Sequence, residues 1–150
     1  MSARPPEPVV LEGPHVRLEP LAASHADALC AVGLDPEIWR WMLGPVETRA
    51  DMVAGPWQRT VVNTEAKYLL LRHAFEELGY RRVELKTDAL NLRSREAIRR
   101  IGGVEEGTLR RHMVTATGRV RDTVYFSILD EEWPAVKARL EEWLTGGPER

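Results

Sequence analysis

The chain has 150 residues, 43% of them hydrophobic and 29% charged, with a formal net charge of −2. That length holds one domain with a real core and is short for two, so residues 1–150 are expected to form a single domain with loose tails at about 1–8 and 145–150. The composition excludes disordered and collagen-like chains, and the near-balance of charge gives no electrostatic drive toward nucleic acid or an acidic membrane surface.

The first eight residues are proline-rich and carry no apolar h-region, and no stretch reaches the length of a membrane-spanning helix. The single cysteine, Cys30, cannot form an internal disulfide or a paired metal or redox motif. A cytoplasmic protein is the expectation. His15 to Leu21 alternates apolar and polar residues and reads as a strand. Ser24 is a candidate cap for a helix carrying Ala28, Leu29 and Val32 and ending at Gly33. Asp35-Pro36 opens a second, short helix with Ile38, Trp39 and Trp41. From Leu34 to Arg59 no convincing strand is legible, and Gly55-Pro56 interrupts the stretch Asp51 to Trp57.

The longest signal is a helix from about Thr64 to Leu78. Ala66, Leu70, Ala74 and Leu78 form its stripe and Leu71 and Phe75 widen it; Asn63 is the candidate N-cap, Glu65 suits the positive first turn and Gly79 the C′ position. Arg82 to Thr87 reads as a strand. Asn91 to Ile101 reads as a helix with Ala97, Ile98 and Ile101 inward, closed by Gly102-Gly103. Thr108–Val114 and Val120–Leu129 flank a Gly118 turn and predict an antiparallel hairpin with Val124, Phe126 and Ile128 on one face. Glu132 to Leu144 is a final amphipathic helix. The order argues α/β (α+β) with a mixed sheet flanked by helices.

Two places carry candidate chemistry. Gln58, Arg59, Thr60, Val61, Val62, Asn63 and Thr64 lead into the long helix, where free backbone N–H groups meet the positive end of a helix dipole, a natural diphosphate site. Every helix has such an end, so the dipole alone does not single this one out. Asn91 and Ser94 follow a strand, where open α/β sheets place ligand groups. Asn91 either caps its helix or contacts a ligand. Ser94 could offer a proton to a leaving group, although a lone serine there is commonly filler. The histidines at 15, 25, 73 and 112 are scattered and match no HExxH or paired spacing, so no metal is expected. GxSxG, Walker and GxGxxG motifs are all missing, and Cys30 reads as a small core residue rather than a nucleophile.

The run Val62 to Lys67, the helix Tyr68 to Glu76, the strand Val83 to Asp88 and Asn91-Leu92-Arg93-Ser94 resemble the second half of a RimJ/RimL-type GNAT N-acetyltransferase. The hairpin ending Arg121 to Leu129, the following Glu132-Trp133, and the opening Leu11-Glu12-Gly13 with Val16 to Leu21 extend the resemblance over Leu11 to Leu144. It implies an acyltransferase that moves an acetyl group from acetyl-CoA to a primary amine, on a protein N-terminus or a small molecule. It implies that Gln58 to Thr64 and Asn91 contact the cofactor, and that Ser94 is the proton donor to the CoA thiolate. Val61 stands where the family's loop usually has its first glycine, and Asn63 at its second small position.

The family also places three strands between the Trp39 region and the diphosphate loop. They would need roughly 30–60 residues, and here Ala50 to Ala54 runs almost directly into Trp57-Gln58. The expectation is therefore a chain with an internal deletion, a long helix with part of its Leu70, Leu71, Ala74, Phe75 and Leu78 surface left without a cover, possible self-association through the edge of the first strand, and no identifiable general base. The rival readings are a non-catalytic remnant that binds a partner, and a phosphate- or nucleotide-binding protein that uses the same helix end.

Overall fold

A computed structural model describes residues 7–34, 61–115 and 117–146. The short helix expected from Asp35 and the Asp51–Trp57 junction lie outside the described residues. The N-terminal strand is shorter than its alternation suggests. Leu11–Glu12 (β1) and Arg17–Leu18 (β2) pair antiparallel, Leu11 with Leu18 and Glu12 with Arg17. The Gly13 N–H donates to the Val16 carbonyl at 2.8 Å and folds β1 back on β2. Pro20, which has no N–H to give, lies just beyond the ladder.

A 3-10 turn, Ala23–His25, leads into α1, Ala26–Gly33. Ser24 lies inside that turn, so it is not the cap. His25 holds the capping position without a side-chain cap bond, and its Nδ1 accepts from the Ala22 N–H at 3.1 Å.

The long helix, α2, spans Val61–Arg72 and widens into a π turn over His73–Glu77. Asn63 is its third residue and therefore not the expected N-cap. The C-terminal reading holds: Gly79 has φ +70°, and the Leu78 N–H returns to the His73 carbonyl. The buried stripe is the expected one only in part: Leu71 and Phe75 are inside, Leu70 is not. Leu70 is 56% exposed, while Leu69, Leu71 and Phe75 are buried. A run of i+4 steps drifts about 40° per step around an α-helix. Positions 64, 68, 71 and 75, spaced four, three and four, hold one face instead: Thr64, Leu71 and Phe75 are buried and Tyr68 is half-buried.

The Arg82–Asp88 strand (β3), the Leu92–Arg100 helix (α3), the Val104–Val114 and Val120–Leu129 strands (β4 and β5) and the Trp133–Leu144 helix (α4) complete the described fold. The three strands form an antiparallel sheet in the order β3-β5-β4. Gly118, at φ +80°, turns β4 into β5. Val124, Phe126 and Ile128 alternate onto one face and are fully buried, as the hairpin pattern requires. Ile98 packs with Val124 and Phe126, while Ile128 joins Leu71, Phe75, Ile101, Trp133, Val136 and Leu140. Phe75 stacks on Trp133 with ring centroids 5.4 Å apart. Leu71 and Phe75 are thus covered by α4 and β5, and of the surface expected to be partly uncovered it is Leu70 that stands exposed.

Candidate active site

The start of α2 is tied to the rest of the molecule by polar groups. Thr64 and Glu65 are 4% and 1% exposed. Arg100, the last residue of α3, donates from Nη2 to the Thr64 hydroxyl at 3.5 Å. Half-buried Lys67 lies one turn along from Thr64, and its pKa is lowered first by burial and then by the charge of Arg100. Two cations held close to a helix start, where the dipole is already positive, form a place that an anion relieves. Of the residues expected to grip a diphosphate, Val61, Val62, Asn63 and Thr64 form the helical first turn. Gln58, Arg59 and Thr60 lie outside the described residues.

Glu65 does more than complement the helix dipole. Its Oε2 accepts the His15 N–H at 2.9 Å, and His15 Nδ1 lies 3.5 Å from Oε1. The carboxylate therefore anchors the β1–β2 turn against α2. A Cβ on Gly13 would lie 2.5 Å from Glu65 Oε1, so glycine is what allows this close approach. Among the described residues, Oε1 has no hydrogen-bond partner.

The second expected element follows β3. Asn91 is the N-cap of α3, and its Oδ1 accepts the Ser94 N–H at 3.0 Å. The capping role left open by the sequence is thus filled, and it sets Ser94, half-buried, in the first turn. Sequence reasoning passed over Asp88, three residues earlier. Its carboxylate is buried, accepts the Leu90 N–H at 2.9 Å through Oδ1, and meets the Arg119 guanidinium and, at 3.9 Å, Arg121 Nε through Oδ2. The Asn91 N–H returns to the Asp88 carbonyl at 3.0 Å. An aspartate and an asparagine three apart across a strand-to-helix turn were the available signal, since both residues hold such turns through their side chains. Ser94 and Arg100 lie about 9 Å apart along the axis of α3, so this helix reaches from the Asn91 turn to the α2 start.

Among the described residues, no three of His, Cys, Asp and Glu gather as a metal cluster, and no helix is long and apolar enough to cross a membrane.

Comparison with known proteins places this arrangement. Residues 52–104 match the acetyltransferase (GNAT) domain family. The crystal structure of a GCN5-related N-acetyltransferase from Brucella melitensis is 32% identical and superposes with a TM-score of 0.84, over 96% of this chain and 89% of that one. The Bacillus subtilis (strain 168) protein named "Putative ribosomal N-acetyltransferase YdaF" is 35% identical over 85 residues, 57% of this chain; the match spans 46% of that relative's length. Mycobacterium smegmatis RimJ, solved in complex with CoA-disulfide, is 18% identical and shares the fold at a TM-score of 0.68, over 91% of this chain and 93% of its own. With the full-length likeness to the Brucella protein and the domain match through α2, β3 and α3, the chain belongs to the GCN5-related N-acetyltransferase family.

Proposed function

We propose that the protein is an acetyl-CoA-dependent N-acetyltransferase of the RimJ/RimL kind that acts on a primary amine, of a protein N-terminus or a small molecule, in the cytoplasm. The observation that carries this reading is the pair of tied elements: an α2 start flanked by Lys67 and Arg100, and an Asp88–Asn91 turn that presents Ser94, joined by one helix. The RimJ structure with its CoA-disulfide adds support at the level of fold.

Acetyl-CoA supplies a thioester whose carbonyl carbon the amine attacks: the C–N bond forms, the C–S bond breaks, the amine loses a proton and the sulfur gains one. The backbone N–H groups at the start of α2, with Lys67 and Arg100, bind phosphate oxygens, and Gln58, Arg59 and Thr60 extend that grip. Asn91 fixes the first turn of α3, and the Ser94 hydroxyl holds the proton destined for the departing sulfur. Catalysis rests on positioning and proton handling, so no enzyme nucleophile is required.

The chain reads further as a shortened member of its family. Only 27 residues, 34–60, separate α1 from α2, against roughly 30–60 for three strands with their turns. A thiol-release assay with acetyl-CoA and a panel of amines, paired with calorimetry, tests the reading. Ser94→Ala should lower kcat by about 100-fold, the lower end for one general acid, and leave acetyl-CoA affinity unchanged. Failure of the wild-type protein to bind acetyl-CoA would refute the proposal.

A further inference from the structure

The hairpin carries an irregularity that the acetyl-donor site does not use. Between the pairs Leu109↔Thr123 and Met113↔Arg121, β4 has three residues, Arg110, Arg111 and His112, where β5 has only Asp122. A bulge of this kind re-aims side chains and is over-represented beside active sites. Arg111 adopts φ +52°, a left-handed conformation that costs a non-glycine residue free energy and persists where the surroundings enforce it. Asp122 does the enforcing: its Oδ1 accepts the Arg111 N–H at 2.6 Å. All three side chains of the bulge are exposed. With Thr108, Leu109 and Asp122 they line an open cavity of about 770 Å³.

The position of this cavity gives it meaning. The Asp122 carbonyl accepts the Ala89 N–H at 2.9 Å, so one residue of β5 touches the Asp88–Asn91 turn on one side and the bulge on the other. Its electrostatics are unlike those of the whole chain. Residues 88–93 and 108–122, which make up this end of the sheet, hold five arginines and two aspartates, whereas the protein as a whole has a formal charge of −2. Asp88 engages Arg119 and Arg121, and the Asp122 carboxylate is turned to the Arg111 backbone, so the charge that this end presents outward is that of Arg93, Arg110 and Arg111, the last two on the bulge itself.

We propose that the Arg110–His112 bulge is the acceptor-recognition site, and that the acceptor is a primary amine with a carboxylate close to it. The inference rests on the acetyltransferase reading and names the acceptor class for it. Arg110 and Arg111 bind the acceptor's carboxylate, which arginine matches with two parallel hydrogen bonds, while the amine is held toward Ser94. A peptide N-terminus followed by Asp or Glu and a free acidic amino acid share this chemistry.

The test measures acetyl transfer to four acceptors under saturating acetyl-CoA: a peptide beginning Ser-Glu-Glu, the same peptide with Lys for Glu, free glutamate, and spermidine. The Glu peptide or glutamate should have the lowest KM, and which of them leads identifies the source of the carboxylate. Arg110→Glu should raise that KM at least about tenfold, one charged contact, with little change in kcat and none in acetyl-CoA affinity by calorimetry. Arg111→Gly is the companion variant: it suits the left-handed backbone, keeps the N–H bonded to Asp122, removes the exposed side chain with its guanidinium, and should also raise KM. Arg110→Lys keeps the charge but not the two parallel hydrogen bonds, so it should recover only part of the loss.

Equal KM values for the Glu and Lys peptides, or variants that change nothing, would overturn the inference while measured acetyl-CoA binding leaves the acetyltransferase reading standing. No acetyl-CoA binding at all would instead overturn that reading, and this inference with it. A dimer in sedimentation that Arg110→Glu dissolves, without any change in KM, would assign the patch to self-association and likewise overturn the proposal.

Discussion

Replacing Asp88 with alanine should be costly for a reason independent of the transfer chemistry. The Asp88 carboxylate is 1% exposed. It accepts the Leu90 N–H at 2.9 Å and faces two guanidinium groups, those of Arg119 and Arg121. The Arg121 side chain is itself only 9% exposed, so Asp88→Ala takes the carboxylate away from a cation that water barely reaches. Breaking a buried pair by removing one partner costs about 3–5 kcal/mol. Arg119 is 35% exposed, and solvent screens its share, which points to the lower end, about 3 kcal/mol. For a chain of this size that corresponds to a fall in Tm of roughly 6–12 °C. Asp88→Asn keeps an acceptor for the Leu90 N–H and loses only the charge, so it should fall between wild type and alanine. Urea unfolding with an unchanged m-value is the measurement. An Asp88→Ala protein within about 0.5 kcal/mol of wild type, the range of ordinary surface substitutions, would refute the account of this cluster.

Three further outcomes follow from the described geometry. Leu71→Ala should cost about 2–5 kcal/mol in thermal or urea unfolding, whereas exposed Leu70→Lys should stay within about 0.5 kcal/mol, which checks the buried face of α2. Lys67→Met should stabilise the free protein and weaken acetyl-CoA binding about tenfold by calorimetry. Burial and Arg100 lower the folded-state pKa of Lys67, so in the alkaline range the unfolded chain holds more protons there, and the stability gap to the variant should close as pH rises. Lys137 and then Trp133, through their hydrogen bonds, lower the Glu76 pKa below 4.5. Its contribution is therefore present above the unfolded value and lost as pH falls through the folded one. The Glu76 side chain is 38% exposed, so Glu76→Gln should cost only about 0.5 kcal/mol near neutrality and nothing in acid.

The parts of the fold legible in the sequence were those fixed by short-range rules. β3, α3, the β4–β5 hairpin and α4 lie within a few residues of their expected positions, because alternation, an Asn cap, a Gly turn and an amphipathic stripe each declare themselves locally. The misses involve partners far away in sequence. Glu65 read as a first-turn acid, yet its carboxylate is taken by His15, 50 residues earlier. Asn63 read as a cap, but α2 already runs from Val61. The Leu70 stripe failed because i+4 spacing drifts around a helix, and only the packing of α4 shows which face is inside. At the candidate site Asn91 and Ser94 were legible from their place after a strand. Asp88 was not, because its role depends on Arg119 and Arg121 from β5. The Arg110–His112 bulge has no sequence signature, since it is defined by a mismatch in length against Asp122.

Three acidic or amide side chains do the same work at one end of the sheet. Asp88 accepts from the Leu90 N–H, Asn91 from the Ser94 N–H and Asp122 from the Arg111 N–H. Each fixes a backbone bend that regular strand or helix bonding does not hold. The bends are linked, since the Ala89 N–H donates to the Asp122 carbonyl. A site that works by positioning needs such support, because a reacting group held loosely loses the advantage of proximity. The amides of Leu90, Ser94 and Arg111 lie near bends, where backbone usually exchanges fast, yet each should exchange with solvent deuterium far more slowly than the amide of exposed Thr117 at the hairpin tip. Asp122→Ala should release Arg111 to fast exchange and leave Ser94 protected, while Asn91→Ala should do the reverse. Uniformly fast exchange at all three amides in the wild-type protein would mean that this end of the sheet opens freely, and that its side chains do not preorganise a site.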